Sequence, residues 1–222
     1  MLNTRLQACA DLIRPGSHVC DVGTDHAQLA VYLLEQGIAA EVIASDIGEG
    51  PLQAAERTIR AHGLSDRIRT ILSDGLQSIP PEGLTDIVIA GMGGETMIHI
   101  LESCPFPLAE KHLILQPMTK VRELRRWLFQ AGFSVTEETC ARDGSRLYAV
   151  MRAEFTGVPT GQDAAAELLG AMDLGAPDCM AYAERVYAQL CRARDGRRHA
   201  GQPDEPYASE AQCVRNRMEE FQ

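Results

Sequence analysis

No apolar run in this 222-residue chain approaches the ~20 residues that span a bilayer. The N-terminal stretch MLNTRLQACADLIRPG has no apolar h-region followed by a small-residue cleavage site, so the chain reads as cytoplasmic rather than membrane-bound or exported. Paired cysteines are also missing. Cys9, Cys20, Cys104, Cys140, Cys179, Cys191 and Cys213 are odd in number, scattered and without a CxxC, which excludes a disulfide framework and leaves free, mostly buried thiols. The six His show no HxxxH or His/Cys spacing, so no metal site is expected. Positive charge is in deficit: 21 Lys and Arg stand against 31 Asp and Glu, a net charge of -10 with a pI near 5.1. Such a field repels nucleic acid and acidic membrane at long range. Lysine is nearly absent, with Lys111 and Lys120 the only two, so the cations are almost all Arg. Guanidinium suits bidentate phosphate contacts, although genome composition is a sufficient cause of the skew. Ser45 and Ser73 lack the context of a nucleophile elbow, which argues against a hydrolase triad. There is no internal repeat and no sustained heptad pattern.

What is present is ordinary globular material, 45% hydrophobic and 24.2 kDa, enough for one full domain and a modest appendage. Leu2, Leu6, Cys9, Ala10 and Ile13 at helical spacing predict an N-terminal helix over residues 2–13 covering a sheet edge. Strands are expected at 17–22, 41–46, 68–72, 86–90 and 111–116, with helices at 27–36, 51–62, 95–103 and 121–131 between them. Residues 133–138 and 146–151 have no helix between them and must pair as an antiparallel hairpin. The expected fold is therefore α/β, a doubly wound seven-stranded Rossmann-like sheet closed by an antiparallel strand. That closing hairpin is the habit of class I methyltransferases, whereas a dinucleotide-binding dehydrogenase more often adds a sixth parallel unit. Residues 156–161 form a polar Gly/Pro connector. Beyond it, residues 163–193 and 208–221 show helical spacing around a loop at 194–206. The chain thus divides into a sheet domain, 1–155, and a small all-helical C-terminal appendage, 160–222.

In an open parallel sheet the ligand sits beyond the carboxyl ends of the strands. The first tip, Asp21-Val22-Gly23-Thr24-Asp25-His26, is not the GxGxxG fingerprint. Asp25 stands where a second glycine would admit a pyrophosphate, and its carboxylate suits a sulfonium or ammonium instead; the alternative is that Asp25 caps the following helix. Asp46 ends the second strand about twenty residues later, where an acid bonds ribose hydroxyls. Ser73-Asp74-Gly75 ends the third strand and is either an adenine contact or a structural turn. Ala90-Gly91-Met92-Gly93-Gly94 reads as a glycine loop that lets backbone approach a ligand. Gln116-Pro117 supplies a polar tip able to meet a base edge.

These runs, together with Ala44 to Ile47, Gly50-Pro51 and Leu124 to Leu128, resemble the bacterial TrmK family of tRNA adenine-N1 methyltransferases over about residues 3–152. The resemblance implies S-adenosyl-L-methionine as cofactor and N1 of adenine 22 in tRNA as acceptor. It implies that Asp21, Gly23, Thr24, Asp25 and His26 line the methionine end, that Asp46 and Ile47 flank the ribose, and that Ser73, Asp74 and Gly75 meet the adenine. Ala90, Gly91 and Met92 would border the transferred methyl, Gly93 and Gly94 the acceptor base. Asp25, His26, Met92 and Gly93 would stand at the reacting atoms, with Asp25 or His26 accepting the N6 proton. Two Arg islands, around Arg125 and Arg126 and around Arg192, Arg194, Arg197 and Arg198, are candidate phosphate contacts, the alternative being solvated helix faces. A monomer is favoured. The competing readings are a class I methyltransferase of a small molecule or protein, and a non-catalytic S-adenosylmethionine- or RNA-binding scaffold.

Overall fold

The computed structural model describes residues 2–160 and 163–221; of the expected connector, Gly161 lies outside them. Seven strands form one sheet in the order β3-β2-β1-β4-β5-β7-β6. Strands β1 (Ser17–Val22), β2 (Ala39–Asp46), β3 (Ile68–Leu72), β4 (Asp86–Gly93) and β5 (His112–Thr119) run parallel, while β7 (Arg146–Phe155) lies antiparallel between β5 and β6 (Phe133–Asp143). The chain order reverses between β1 and β4, so the tips of those two strands border the crevice of an open α/β sheet.

One face of the sheet is covered by α1 (Thr4–Asp11), α2 (Gln28–Glu35) and α3 (Glu49–Ala61), whose Cys9, Leu29, Leu33, Ala55 and Ile59 pack against Val19, Val88, Ile114 and Val150. Helix α1 covers the β7–β6 edge of this face, as expected. It lies on the sheet's face, with Cys9 and Ala10 buried and the Thr4 hydroxyl donating to the Arg142 carbonyl at 2.6 Å. The other face carries α4 (Gly94–Glu102), α5 (Val121–Gln130) and the C-terminal helices α6 (Ala164–Leu169), α7 (Pro177–His199) and α8 (Tyr207–Glu219). Leu168, Leu169, Met172, Tyr182, Leu190 and Val214 share one buried cluster with Leu113, Leu115, Leu124 and Met151 of the sheet and its helices.

Two expectations change. The Gly91 segment is not a loose loop: β4 continues to Gly93, pairing Met92 with Pro117 and Gly93 with Thr119 across a bulge. The expected loop at 194–206 is half helix, because α7 runs 23 residues, about 35 Å, through the Arg-rich segment to His199. Arg194, Arg197 and Arg198 find partners in Asp195, Gln202 and Asp204, so a charged stretch that reads as coil propagates a helix. All seven thiols are free, three of them buried and four half-buried. Among the described residues no helix is long and apolar enough to cross a membrane.

Candidate cofactor and acceptor site

A cavity of about 720 Å³ lies at the amino ends of β1 to β3, between His18, Glu41, Arg67 and Gly83, where no helix bridges β3 and β4. It is remote from the strand tips, which is where an open α/β sheet offers helix amino ends and turned-out backbone. A smaller cleft of about 280 Å³ lies at those tips, lined by the N-cap Asn3 and by Arg5 and Leu6 of α1, by Asp21, Gly23, Thr24, Asp25 and His26, by Gln28 and Leu29, and by Ala90 and Gly91.

Asp21 forms its floor. The side chain is 4% exposed, and burial, opposed by the Thr24 hydroxyl donating to Oδ2 at 2.7 Å, pushes its pKa up to about 6, with Asp46 adding to the rise. Gly23 turns the chain at φ +76°, and a Cβ there would collide with the Met92 methyl, so β1 and the β4 bulge close on one another through this residue. Asp25 and Ala27 follow at φ +52° and +55°, a left-handed geometry that non-glycine residues hold only under local constraint. Ala27, not Asp25, occupies the N-cap of α2, and it makes no side-chain cap bond. The capping alternative for Asp25 therefore fails. Its carboxylate stands at the cleft mouth, 71% exposed, with His26 Nε2 at 3.6 Å.

Asp46 is fixed beside this turn, its Oδ1 accepting from the Gly48 N–H at 2.9 Å and its Oδ2 facing the Asp25 N–H at 3.4 Å. Next to it Ile47 and Leu72 are 69% and 50% exposed, an apolar pair at adjacent strand ends. Sequence reasoning missed Leu72, although an apolar residue directly before the Ser-Asp-Gly turn is a usable signal. Asp74 is exposed at the same tip. Its neighbours turn inward: the Ser73 hydroxyl donates to the Gly75 carbonyl at 2.9 Å and accepts from the Ser78 N–H at 3.0 Å, while Gly75 makes room for Ile100. The Ser73 hydroxyl thus holds the turn, and Gly75 packs against Ile100.

Several acceptor-side expectations are corrected. Gln116 is wholly buried; its Oε1 accepts from the Gly91 N–H at 3.2 Å and from Arg5 Nη1 at 3.0 Å, and its Nε2 donates to the Pro117 carbonyl at 3.0 Å. It clamps the bulge and has no group left for a base edge. Pro117 is buried beside it. Gly94 is buried where α4 starts, and any Cβ would strike the Lys120 carbonyl. Gly91, Glu95, Thr96, Thr119 and Lys120 are exposed at this tip, with Met92 and Gly93 half-buried. Arg5 was also missed. It falls on the stripe of Leu2, Leu6 and Cys9, and a cation on an apolar helix stripe is the signal that could have found it.

The first Arg island is engaged within the fold. Arg125 is wholly buried, donating to Glu138 Oε1 at 2.6 and 3.1 Å and to the carbonyls of Glu167 and Leu168. Burial works against its charge, and the Glu138 carboxylate outweighs it. Arg126 grips Glu167 at 2.8 and 2.9 Å, and Arg122 bridges Glu167 and Glu210. Arg125 cannot reach a phosphate, and Arg126 fastens the C-terminal helices. Among the described residues no cluster of three or more His, Cys, Asp or Glu is placed to hold a metal ion.

Residues 2–151 match the methyltransferase-domain family. The chain is 36% identical over 154 residues to the tRNA (adenine(22)-N(1))-methyltransferase of Bacillus subtilis, a match covering 69% of this chain and 65% of that protein. It spans less than two thirds of the length of that curated relative. Among solved structures, that of the Bacillus subtilis m1A22 tRNA methyltransferase TrmK is similar at TM-score 0.78 and 27% identity, over 100% of this chain and 97% of that one. Streptococcus pneumoniae Sp1610 in complex with S-adenosyl-L-methionine is similar at TM-score 0.83 and 29% identity, over 98% and 100%.

Proposed function

Because this chain belongs to the methyltransferase-domain family and, within it, to the TrmK family, we propose that it transfers a methyl group from S-adenosyl-L-methionine to N1 of adenine 22 in tRNA. The observation that carries the reading is the meeting of Asp21 and Asp25 in a cleft bounded by the Gly91 bulge, with Asp46 directly beside the Asp25 turn. Acids at two adjacent strand tips suit a ribose on one side and a cationic amino-acid tail on the other, and they disfavour a diphosphate. In this reading Asp46 accepts from the ribose hydroxyls, Ile47 and Leu72 flank the adenine with Asp74 at its edge, and Asp21 and Asp25 face the ammonium. When bound, the cofactor supplies a methyl group activated on a sulfonium.

The acceptor needs alignment more than a base, since N1 of adenine carries its own lone pair, and positioning alone can contribute ~7 to 11 kcal/mol of barrier lowering. Met92 and Gly93 on the bulge hold that position, beside exposed Thr119 and Lys120. N1 lies on the Watson–Crick edge, so the base must leave its stack at a cost of a few kcal/mol. His26 Nε2, paired with Asp25, stands at the cleft mouth to take the N6 proton afterwards. The sheet part, 1–155, carries the chemistry in this proposal. The helical part, 160–222, presents Arg192, Arg194, Arg197 and Arg198 along α7 to the tRNA backbone, and the setting is cytoplasmic. Labelled methyl transfer to bulk tRNA followed by nucleoside digestion tests it. N1-methyladenosine is the expected product; cofactor binding without a tRNA product would sink the proposal in favour of another acceptor or a scaffold.

A further inference from the structure

Arg5 is the unexplained charge in the cleft. It reaches from α1, 20% exposed, and is held on three sides: Nη1 donates to Gln116 Oε1 at 3.0 Å and lies 3.5 Å from Met118 Sδ, Nε faces Asp143 at 3.3 Å, and the guanidinium covers the Tyr148 ring at 5.4 Å. A guanidinium has five N–H donors in a planar fork. Among the described residues, the two on Nη2 have no partner. Arg5 lines the same 280 Å³ cleft as Asp21, Asp25 and His26, and it borders Gly91, where an added Cβ would come within 3.9 Å of Nη1.

The distribution of charge along the site is directional. Asp46 lies outside the cleft, next to the turn, while Asp21, Asp25 and His26 share its lining with Arg5, which enters from α1. A ligand with its ribose on Asp46 places its remaining group between them. The methionine end of S-adenosylmethionine carries an ammonium and a carboxylate on one carbon. Acids satisfy the first; the second calls for a cation with free donors, and a rigid guanidinium matches a carboxylate in a bidentate fashion.

Resting on the methyltransferase reading above, we infer that Arg5 anchors the cofactor's carboxylate through Nη2, and that buried Gln116 is the positioning residue that holds Arg5 and the Gly91 bulge in register for it. The cleft then selects the zwitterionic amino acid and not merely the adenosine.

Calorimetric titration of the full chain with S-adenosylhomocysteine and with its decarboxylated analogue, which keeps the ammonium, tests this. Arg5→Gln should weaken S-adenosylhomocysteine binding about 10- to 100-fold, the range for a hydrogen bond to a charged group, and leave the decarboxylated analogue unchanged. Arg5→Lys should restore part of the loss, and Gln116→Ala should show the same selectivity at smaller amplitude. Equal losses for both ligands, no loss for either, or a rise confined to the tRNA KM would overturn the assignment. Wild-type protein that binds neither ligand would instead overturn the methyltransferase reading. Retained binding of the decarboxylated analogue reports that the variant is folded.

Discussion

At the seam between the sheet and the C-terminal helices, Arg122, Arg125 and Arg126 meet Glu138, Glu167 and Glu210, and each charge is consumed by a neighbour within the chain. At the cleft, Asp21, Asp25, Asp46 and Arg5 are as densely charged, yet they are anchored mainly by neutral donors and acceptors that leave their outward atoms available: the Thr24 hydroxyl, the Gly48 amide, the Gln116 amide. The two regions have similar composition and opposite arrangement. A charge held by an opposite charge builds a joint, whereas a charge held by a dipole remains ready for a ligand.

The sharpest way to break this contrast is at the joint. Arg125→Ala leaves Glu138 buried without its cation and should cost about 3–5 kcal/mol of stability, read by urea or thermal unfolding. Arg125→Met with Glu138→Leu should recover much of it. Wild-type stability in the single variant would mean that the seam is not a joint. At the cleft, Asp46→Ala should lower cofactor affinity by about 1.5–3 kcal/mol in calorimetry while the unfolding transition stays in place. A fall in stability with no change in affinity would reverse the roles assigned to the two regions.

Titration comes next. With Asp21 raised to about 6, cofactor affinity should fall by up to about tenfold per pH unit below that value, and Asp21→Asn should flatten the profile. Stability of the ligand-free protein moves oppositely. The folded side chain holds its proton more tightly than an unfolded one at 3.8, so its contribution is complete below that pH and is lost as pH rises through about 6. The smallest effect belongs to α7. Arg192 and Arg197 form no ion pair among the described residues, and replacing both by Ala should reduce the salt slope of tRNA binding by about two phosphate contacts. An unchanged slope would leave these residues as a solvated helix face.

The sheet and its tips were legible because alternation of apolar runs and helical stripes is a local signal, and because Gly23, Asp46 and Gly91 sit at strand ends that such runs define. What lay beyond reach was direction. Nothing local distinguishes a glycine that opens space for a ligand from Gly94, which opens space for the Lys120 backbone, or from Gly75, which faces Ile100. Gln116 looks like a polar tip until β5 continues past it and buries it under the bulge. Arg125 and Arg126 share a sequence island, yet one is interior and the other partly exposed. The distinction is made by Glu138 and Glu167, distant in sequence, so a count of adjacent charges carries no information about it.

The Arg125 carbonyl contacts bear on how this chain can change over generations. Because one interior guanidinium ties β6 to the backbone of residues 167 and 168, the C-terminal helices are not a detachable module. A cut after residue 155 would strip the apolar cover from α5 and β6 and leave Arg125 and Glu138 facing solvent. Exchange of the helical part between relatives would have to bring along a matching partner for this arginine, so solvent-facing surfaces are free to diversify on the outer side of α7 and α8 while their inner side is held to the sheet.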